Sequence, residues 1–555
     1  MKRWQKGLLG TAAGLAVLGG AAYQFRTDLA LALVRHRSQV EVAANRPVPW
    51  QQGPATPAKS PAERPPNIVF ILFDDLGMND LSTFGGGVAG GKVPTPNIDR
   101  LAAEGATLTQ AYAGNATCSP SRAQIMTGRY ATRTGFEFTP TPSGFARVVS
   151  MAWGQMQPGR PPIEYHTADD AAALPFAEQG LPPQEVTVAE VLKARGYHTV
   201  HIGKWHLGNA EKFLPRAQGF DESLNMDGML HLPEGDPNAV SAHVDFDPID
   251  RFLWASAHYV TSYNGGAKFA PKGYLADYWT DESLKVIEAN RNRPFFLYLA
   301  HWGVHSPLQA TKADYDAVGN IGPHRLRVYG AMVRALDRSV GRIMEKLEAE
   351  GLADNTLVVI SSDNGAPGYV GLDRLNAPYR GGKGTFFEGG IRVPMFARWP
   401  ARIPAGAKIP LPVGQVDLMP TFAAAAAAPL PKGVTIDGRN LLPALTGKGP
   451  AMNPETPLFW SSGYYRAVRA GNWKLQVNGK QQKAWLFNLA ADPTEQTNLA
   501  AREPARRAEL ERLLAAHEKG RRGPLYGSTF DTPVSIDKTL AQPFAKGDEF
   551  IYWPN

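Results

Sequence analysis

The chain has 555 residues, 43% hydrophobic and 20% charged, which excludes a disordered protein and leaves room for one large domain and a smaller one. Its net charge of +7 suits an anionic substrate, an anionic surface or plain solubility, and no Lys/Arg run is dense enough to argue for nucleic acid. The single cysteine excludes an intrachain disulfide.

The N-terminus carries Lys2, Arg3 and Lys6 and then an apolar run, Gly7 to Tyr23. That is a charged n-region followed by an h-region, at the short limit for a spanning helix. Residues 1–26 are expected to be either a cleaved signal peptide or a membrane anchor. Both fates imply export, to the periplasm or to a membrane facing it. Thr27 to Val34 continues with an amphipathic look. Residues 27–65, with Pro47 to Pro66 rich in Pro, Gln, Ala and Lys, read as a linker.

Asn67 to Phe73 is a continuous apolar run after prolines, the pattern of a buried parallel strand. It ends in Asp74 and Asp75, at the strand end where open α/β sheets place ligands. Two adjacent carboxylates there call for a cation, and hard divalent cations take oxygen ligands. Thr95 to Gly105 is a helix with Pro at its first position, and Thr107 to Tyr112 is a strand. Next comes Cys118-Ser-Pro-Ser-Arg122. Pro120 starts a short helix that Gly128 ends. Cys118 is therefore expected at a helix N-terminus, where free N–H groups favour an anion, with Arg122 one turn in.

Residues 137–179 and 220–278 lack strong periodicity and read as excursions over the active-site face. Between them, Thr187 to Arg195 is a capped helix and Tyr197 to Ile202 a strand running into Gly203-Lys-Trp-His-Leu-Gly208. Lys204 and His206 are two apart and would share one side of an extended segment. A cation beside an imidazole fits anion binding with proton transfer. Pro294 to Ala300 is a buried strand leading to His301 and His305. Arg325 to Gly351 is a long helix. Asn355 to Ser362 is a core strand ending in Asp363 and Asn364. Asp74, Asp75, Asp363 and Asn364 make an all-oxygen set that suits Ca²⁺ better than Zn²⁺. Tyr379 to Pro394 is glycine-rich around Lys383, and glycines allow close backbone approach to a ligand. After Gly447 short antiparallel strands and one helix follow, and residues 523–555 form a tail with no assignment.

These blocks resemble the type I sulfatases, of the alkaline phosphatase superfamily, from about Pro66 to Lys519. The matching parts are Asp74-Asp75-Leu-Gly77, Cys118 to Arg122 with Thr127-Gly128-Arg129, Gly203 to Gly208, His305 before a small residue and proline, and Gly381 to Gly390. The resemblance implies an α/β fold, an alkaline-phosphatase-like sandwich. It would have a large, mostly parallel mixed sheet at 66–447 and a small antiparallel subdomain at 448–522. It implies hydrolysis of an aryl sulfate or sulfated carbohydrate. Cys118 would be oxidised to Cα-formylglycine by a formylglycine-generating enzyme, and its hydrate would attack sulfur. Asp74, Asp75, Asp363, Asn364 and residue 118 would hold Ca²⁺ or Mg²⁺. Lys204, Lys383 and His305 would hold sulfate oxygens or protonate the leaving oxygen. His206 would position or deprotonate the hydrate, and Arg122 would support it. Phosphonate monoester and phosphodiester hydrolases of the same superfamily share the signature, and an unconverted Cys118 would leave only a binding protein.

Overall fold

The computed structural model describes residues 23–60, 63–142 and 144–555. The apolar run up to Ala22 lies outside the described residues. A ten-stranded mixed sheet forms the centre. Its order is Ala407–Gly414, Ala106–Tyr112, Met395–Arg398, Thr356–Ser362, Asn67–Phe73, Phe295–Ala300, His198–Gly203, Glu222–Met226, Thr261–Tyr263 and Lys268–Phe269. The five strands from Thr356–Ser362 to Glu222–Met226 run parallel, and the pairings of Met395–Arg398 and of Thr261–Tyr263 are antiparallel.

Asn67–Phe73 is buried along its whole length, as its unbroken apolar run requires. Alternation sends Val69, Ile71 and Phe73 to one face and Ile68, Phe70 and Leu72 to the other. The first face packs on helices Leu275–Ala289 and His324–Ala349. The second packs on Val188–Ala194, Leu418–Ala425 and Cys118–Thr127. The expected α/β sandwich is therefore present, with helices on both faces of a mostly parallel sheet. Thr187 caps its helix as the sequence promised, its Oγ1 accepting from the Glu190 N–H.

A four-stranded antiparallel sheet, Leu458–Ser462, Tyr465–Ala470, Trp473–Asn478 and Lys483–Asn488, carries the helix Pro504–Glu518. The unassigned tail is structured. Phe530–Ser535 pairs with Phe550–Pro554 and with Glu164–Tyr165, so the tail forms a sheet with the first excursion. That excursion also holds a helix, Phe145–Met156, where no periodicity was read.

The stretch expected as a linker is not a free connector. Arg26–Arg37 is a helix, Ala43 bridges Phe269 at the sheet edge, and Val48 and Trp50 are buried. Trp50 Nε1 donates to Glu282 Oε2 at 2.7 Å. Val48 and Trp50 thus find an edge to cover, and the stretch's prolines leave no ladder donor unmet.

Candidate active site

The site gathers at the carboxyl ends of the central parallel strands. Asp74 and Asp75 follow Phe73, which pairs with Ser362; Asp363 and Asn364 follow Ser362. Lys204 follows Gly203, which pairs with Ala300, and His301 to His305 follow Ala300. One register thus delivers four loops to one edge. Two glycines let these loops meet. A Cβ on Gly203, which has φ +106°, would lie 2.0 Å from the Ala300 carbonyl oxygen, and one on Gly365 would lie 1.9 Å from that of Gly389.

Cys118 is the first residue of helix Cys118–Thr127, after the extended Thr117, and its side chain is buried. Its Sγ lies 3.4 Å from Asp74 Oδ1 and 3.3 Å from Lys383 Nζ. Burial, then the charges of Asp363 and Asp74, push the thiol far above its usual range. The sulfur is held as a thiol, so it is a poor nucleophile in its own right. Ser119 Oγ donates to the His206 carbonyl at 2.8 Å, which ties this turn to the Lys204 loop.

Arg122 is fully buried. Its Nε donates to Asp363 Oδ2 at 2.9 Å, its Nη2 to Asp74 Oδ2 at 2.9 Å and its Nη1 to the Lys204 carbonyl at 2.7 Å. Its donors face the protein, so it positions the carboxylates rather than reaching substrate. Lys204 Nζ lies 2.6 Å from Asp74 Oδ2, an ion pair made outside good hydrogen-bond direction. Burial alone would raise Asp74, but Lys204 and Arg122 beside it hold it well below the usual carboxylate range. Lys383 Nζ lies 2.7 Å from Asp75 Oδ1 and stays charged: burial works against its charge, but Asp75 beside it raises it further.

His305 Nε2 is 3.6 Å from Asp75 Oδ2, while Nδ1 lies 2.6 Å from the Ser306 carbonyl. Burial lowers it to about 4 against the pull of Asp75, so the ring is neutral near pH 7. Trp302 stacks on it at 4.0 Å and lies under Lys204 Nζ at 4.6 Å. His301 points elsewhere: its Nε2 lies 2.9 Å from Ser339 Oγ on the long helix. His206 faces the cluster by another route than the one expected. The segment is not extended there, because His206 sits at φ +63°. Its Nδ1 is buried without a partner, and burial, then the charges of Lys204 and Arg122, keep the ring neutral.

Ligand atoms of Asp74, Asp75, Cys118 and His305 all lie within 4.8 Å of one another, which is a possible metal centre. Asp363 and Asn364 adjoin it. The Asp75 N–H donates to Asp363 Oδ1 at 3.3 Å, and Asn364 Nδ2 donates to Asp75 Oδ1 at 2.7 Å. Asn364 Oδ1 is buried with no hydrogen-bond partner. A buried orphan acceptor is costly, and beside three carboxylates it fits a hard divalent cation. The expected ligands are thus brought to one place, although Asp363 Oδ2 accepts from Arg122 and His305, not expected as a ligand, joins the cluster.

Sequence reading missed Tyr369. Its hydroxyl donates to Asp75 Oδ2 at 3.1 Å and lies 3.4 Å from Lys383 Nζ. It sits in a single 3₁₀ turn, Gly368–Val370, too short to show a periodicity. Trp302 was readable within the His301–His305 run but passed over.

A family model described as Sulfatase matches residues 66–428. The chain belongs to the sulfatase family. A second model, N-sulphoglucosamine sulphohydrolase, C-terminal, matches residues 382–519 of this sulfatase. It is 33% identical over 496 residues to steryl-sulfatase of Mus musculus, covering 76% of this chain and 72% of that one. It is 34% identical over 462 residues to arylsulfatase A of Homo sapiens, covering 80% of each. Among solved structures it resembles Ps i-CgsB in complex with k-i-k-neocarrahexaose, with a TM-score of 0.69 and 30% identity over 83% of this chain and 95% of that one. The sulfatase is a sulfuric ester hydrolase.

Proposed function

We propose that the enzyme hydrolyses sulfate monoesters of saccharides or aryl alcohols through a formylglycine made from Cys118. The observation that carries this is the placement of Cys118: a buried thiol at a helix N-terminus, between Asp74 Oδ1 and Lys383 Nζ. Sγ stands where the oxygens of the modified residue would lie. Converted by a formylglycine-generating enzyme, residue 118 supplies a geminal diol, one hydroxyl to attack sulfur and the other to expel the sulfate once its proton is lost. Asp74, Asp75, Asp363 and Asn364 would hold Ca²⁺, or Mg²⁺ in its place, with residue 118 beside them. The cation would supply charge stabilisation for the sulfate oxygens and align them with the nucleophile.

The chain's own groups account for the rest. Lys383 and Lys204 present fixed positive charge to an anionic ester. Neutral His305 and neutral His206 can each accept a proton or pass one on. His305 lies nearer Asp75 and suits the leaving oxygen. His206, on the Ser119-anchored loop, suits the diol. Trp302 fixes the plane of His305. The likeness to Ps i-CgsB in complex with k-i-k-neocarrahexaose supports a saccharide. The charged n-region and apolar run at the N-terminus support export to the periplasm, free or tethered to the membrane.

Two measurements test the reading. Mass spectrometry of the peptide containing residue 118 should find the aldehyde in active enzyme. An active preparation holding only cysteine would refute it. A panel of matched aryl sulfate, phosphate diester and phosphonate monoester, with sulfated saccharides, should show sulfate esters far ahead in kcat/KM. A phosphorus ester turned over faster than every sulfate would move the enzyme to the phosphonate hydrolase branch.

A further inference from the structure

Large hydrophobic side chains are seldom left in water together. Among the described residues, eight are exposed, and six of these fall within one short stretch: Tyr23, Phe25, Leu29, Leu33, Val40 and Val42. Phe25, Leu29 and Leu33 are spaced four apart along helix Arg26–Arg37 and its cap, which lines them up on one face. The opposite side is already used. Leu31 and Val34 pack against helices Phe145–Met156 and Pro248–Ser256. Asp28 pairs with Arg251 Nη2 at 2.5 Å. The helix is therefore fixed to the body and apolar on two sides.

We propose that this outer face lies on a lipid bilayer surface. Three observations choose that occupant. The chain just before the helix, Gly7 to Ala22, is itself an apolar run preceded by Lys2, Arg3 and Lys6, so where it is retained as an anchor it would bring the helix to a bilayer. With Arg35 paired to Glu234 at 3.6 Å and Asp28 to Arg251, the helix leaves Arg26 and Arg37 to meet anionic headgroups. At 12 residues it is about 18 Å long, too short to cross a bilayer and suited to lying along one. No helix among the described residues is long and apolar enough to cross a membrane. The surface contact is independent of the reaction at Cys118.

The test uses the full-length protein carrying Leu29→Cys or Leu33→Cys, labelled with a polarity-sensitive fluorophore. Leu430→Cys, at another exposed leucine, is the control, and the unsubstituted chain is the blank because Cys118 is buried. Vesicles of phosphatidylcholine with phosphatidylglycerol should shift the label at 29 and 33 to shorter wavelength and leave that at 430 unchanged. The double variant Leu29→Glu with Leu33→Glu should lower the fraction of helix buried in the vesicle roughly tenfold or more, read as loss of hydrogen-exchange protection over 26–37. Labels at 29 and 33 that stay in water on vesicle-bound protein would overturn the proposal, and so would no vesicle binding at all. A shift that follows protein concentration without vesicles would overturn it in favour of a second copy.

Discussion

Arg122 offers the sharpest test of the site's internal balance. Arg122→Met keeps a similar length but removes the guanidinium from between Asp74 and Asp363, all three fully buried. Asp74 keeps Lys204 at 2.6 Å, whereas Asp363 loses its close cation. Removing one partner of a buried pair typically costs about 3–5 kcal/mol, because the remaining charge stays desolvated. The Asp363 carboxyl already lies above the ordinary range, first through burial and then through the Asp74 charge, with Arg122 opposing. Without Arg122 its folded-state pKa rises further. The folded chain then keeps a proton that the unfolded chain has released above about pH 4. Stability therefore falls as pH rises through the folded-state value, and the loss is larger at pH 8 than at pH 5. Urea unfolding of metal-free protein at the two pH values measures it. A loss under about 1 kcal/mol at both, or a larger loss at pH 5, would refute the buried network. Arg122→Lys should recover only part, since an ammonium cannot fork to both carboxylates.

Asp363→Ala should lower the bound divalent cation, measured by elemental analysis, and turnover together; full activity in a demonstrably metal-free sample would contradict the cation's role. Tyr369→Phe removes a hydroxyl from Asp75 and should cut kcat/KM roughly tenfold, in line with a hydrogen bond to a charged group, while unchanged kinetics would show the contact to be idle. Arg160 donates to Ser535 Oγ at 2.8 Å and to the carbonyls of Thr539, Leu540 and Gln542. Arg160→Ala should speed amide exchange over residues 535–542 and at the Gly368 turn, and unchanged exchange there would dismiss the clamp.

The parts of the site that sit at strand ends were legible because a strand announces itself twice, by its apolar run and by the polar residues that stop it. Asp74, Asp363, Lys204 and His305 were found that way, and parallel pairing then obliged them to share an edge. His206 was found for a partly wrong reason, since a left-handed turn rather than an extended segment aims it. Tyr369 was not legible at all. It reaches Asp75 from a three-residue 3₁₀ turn held by Leu540 far downstream, and no local period encodes that. The same limit hid the tail. Phe530–Ser535 lies between Phe550–Pro554 and the distant Glu164–Tyr165, which is only two residues long. The 27–65 stretch misled through composition, because prolines are equally at home in a linker and along a sheet edge.

The C-terminal segments reach the candidate site through the Lys383 loop. Its glycine-rich loop has no regular ladder of its own, so neighbours must fix it. The Gly384 N–H donates to the Ala116 carbonyl at 2.9 Å, which couples the loop to the Cys118 turn. Phe386 stacks on Tyr465 at 4.6 Å and meets Trp553 edge-on at 5.3 Å, one ring from the small sheet and one from the tail. Arg380 pairs with Asp537 and with Glu549 at 2.7 Å, both in the tail. Glu388 is held by Lys474 at 2.9 Å, and Lys474 is shared with Glu495, all buried. Tyr369 is braced likewise, since the Leu540 N–H donates to the Gly368 carbonyl at 2.9 Å. If Lys383 holds an ester oxygen as proposed, such bracing would fix its position. The small sheet and the tail thus brace the loop that carries Lys383 and the turn that carries Tyr369.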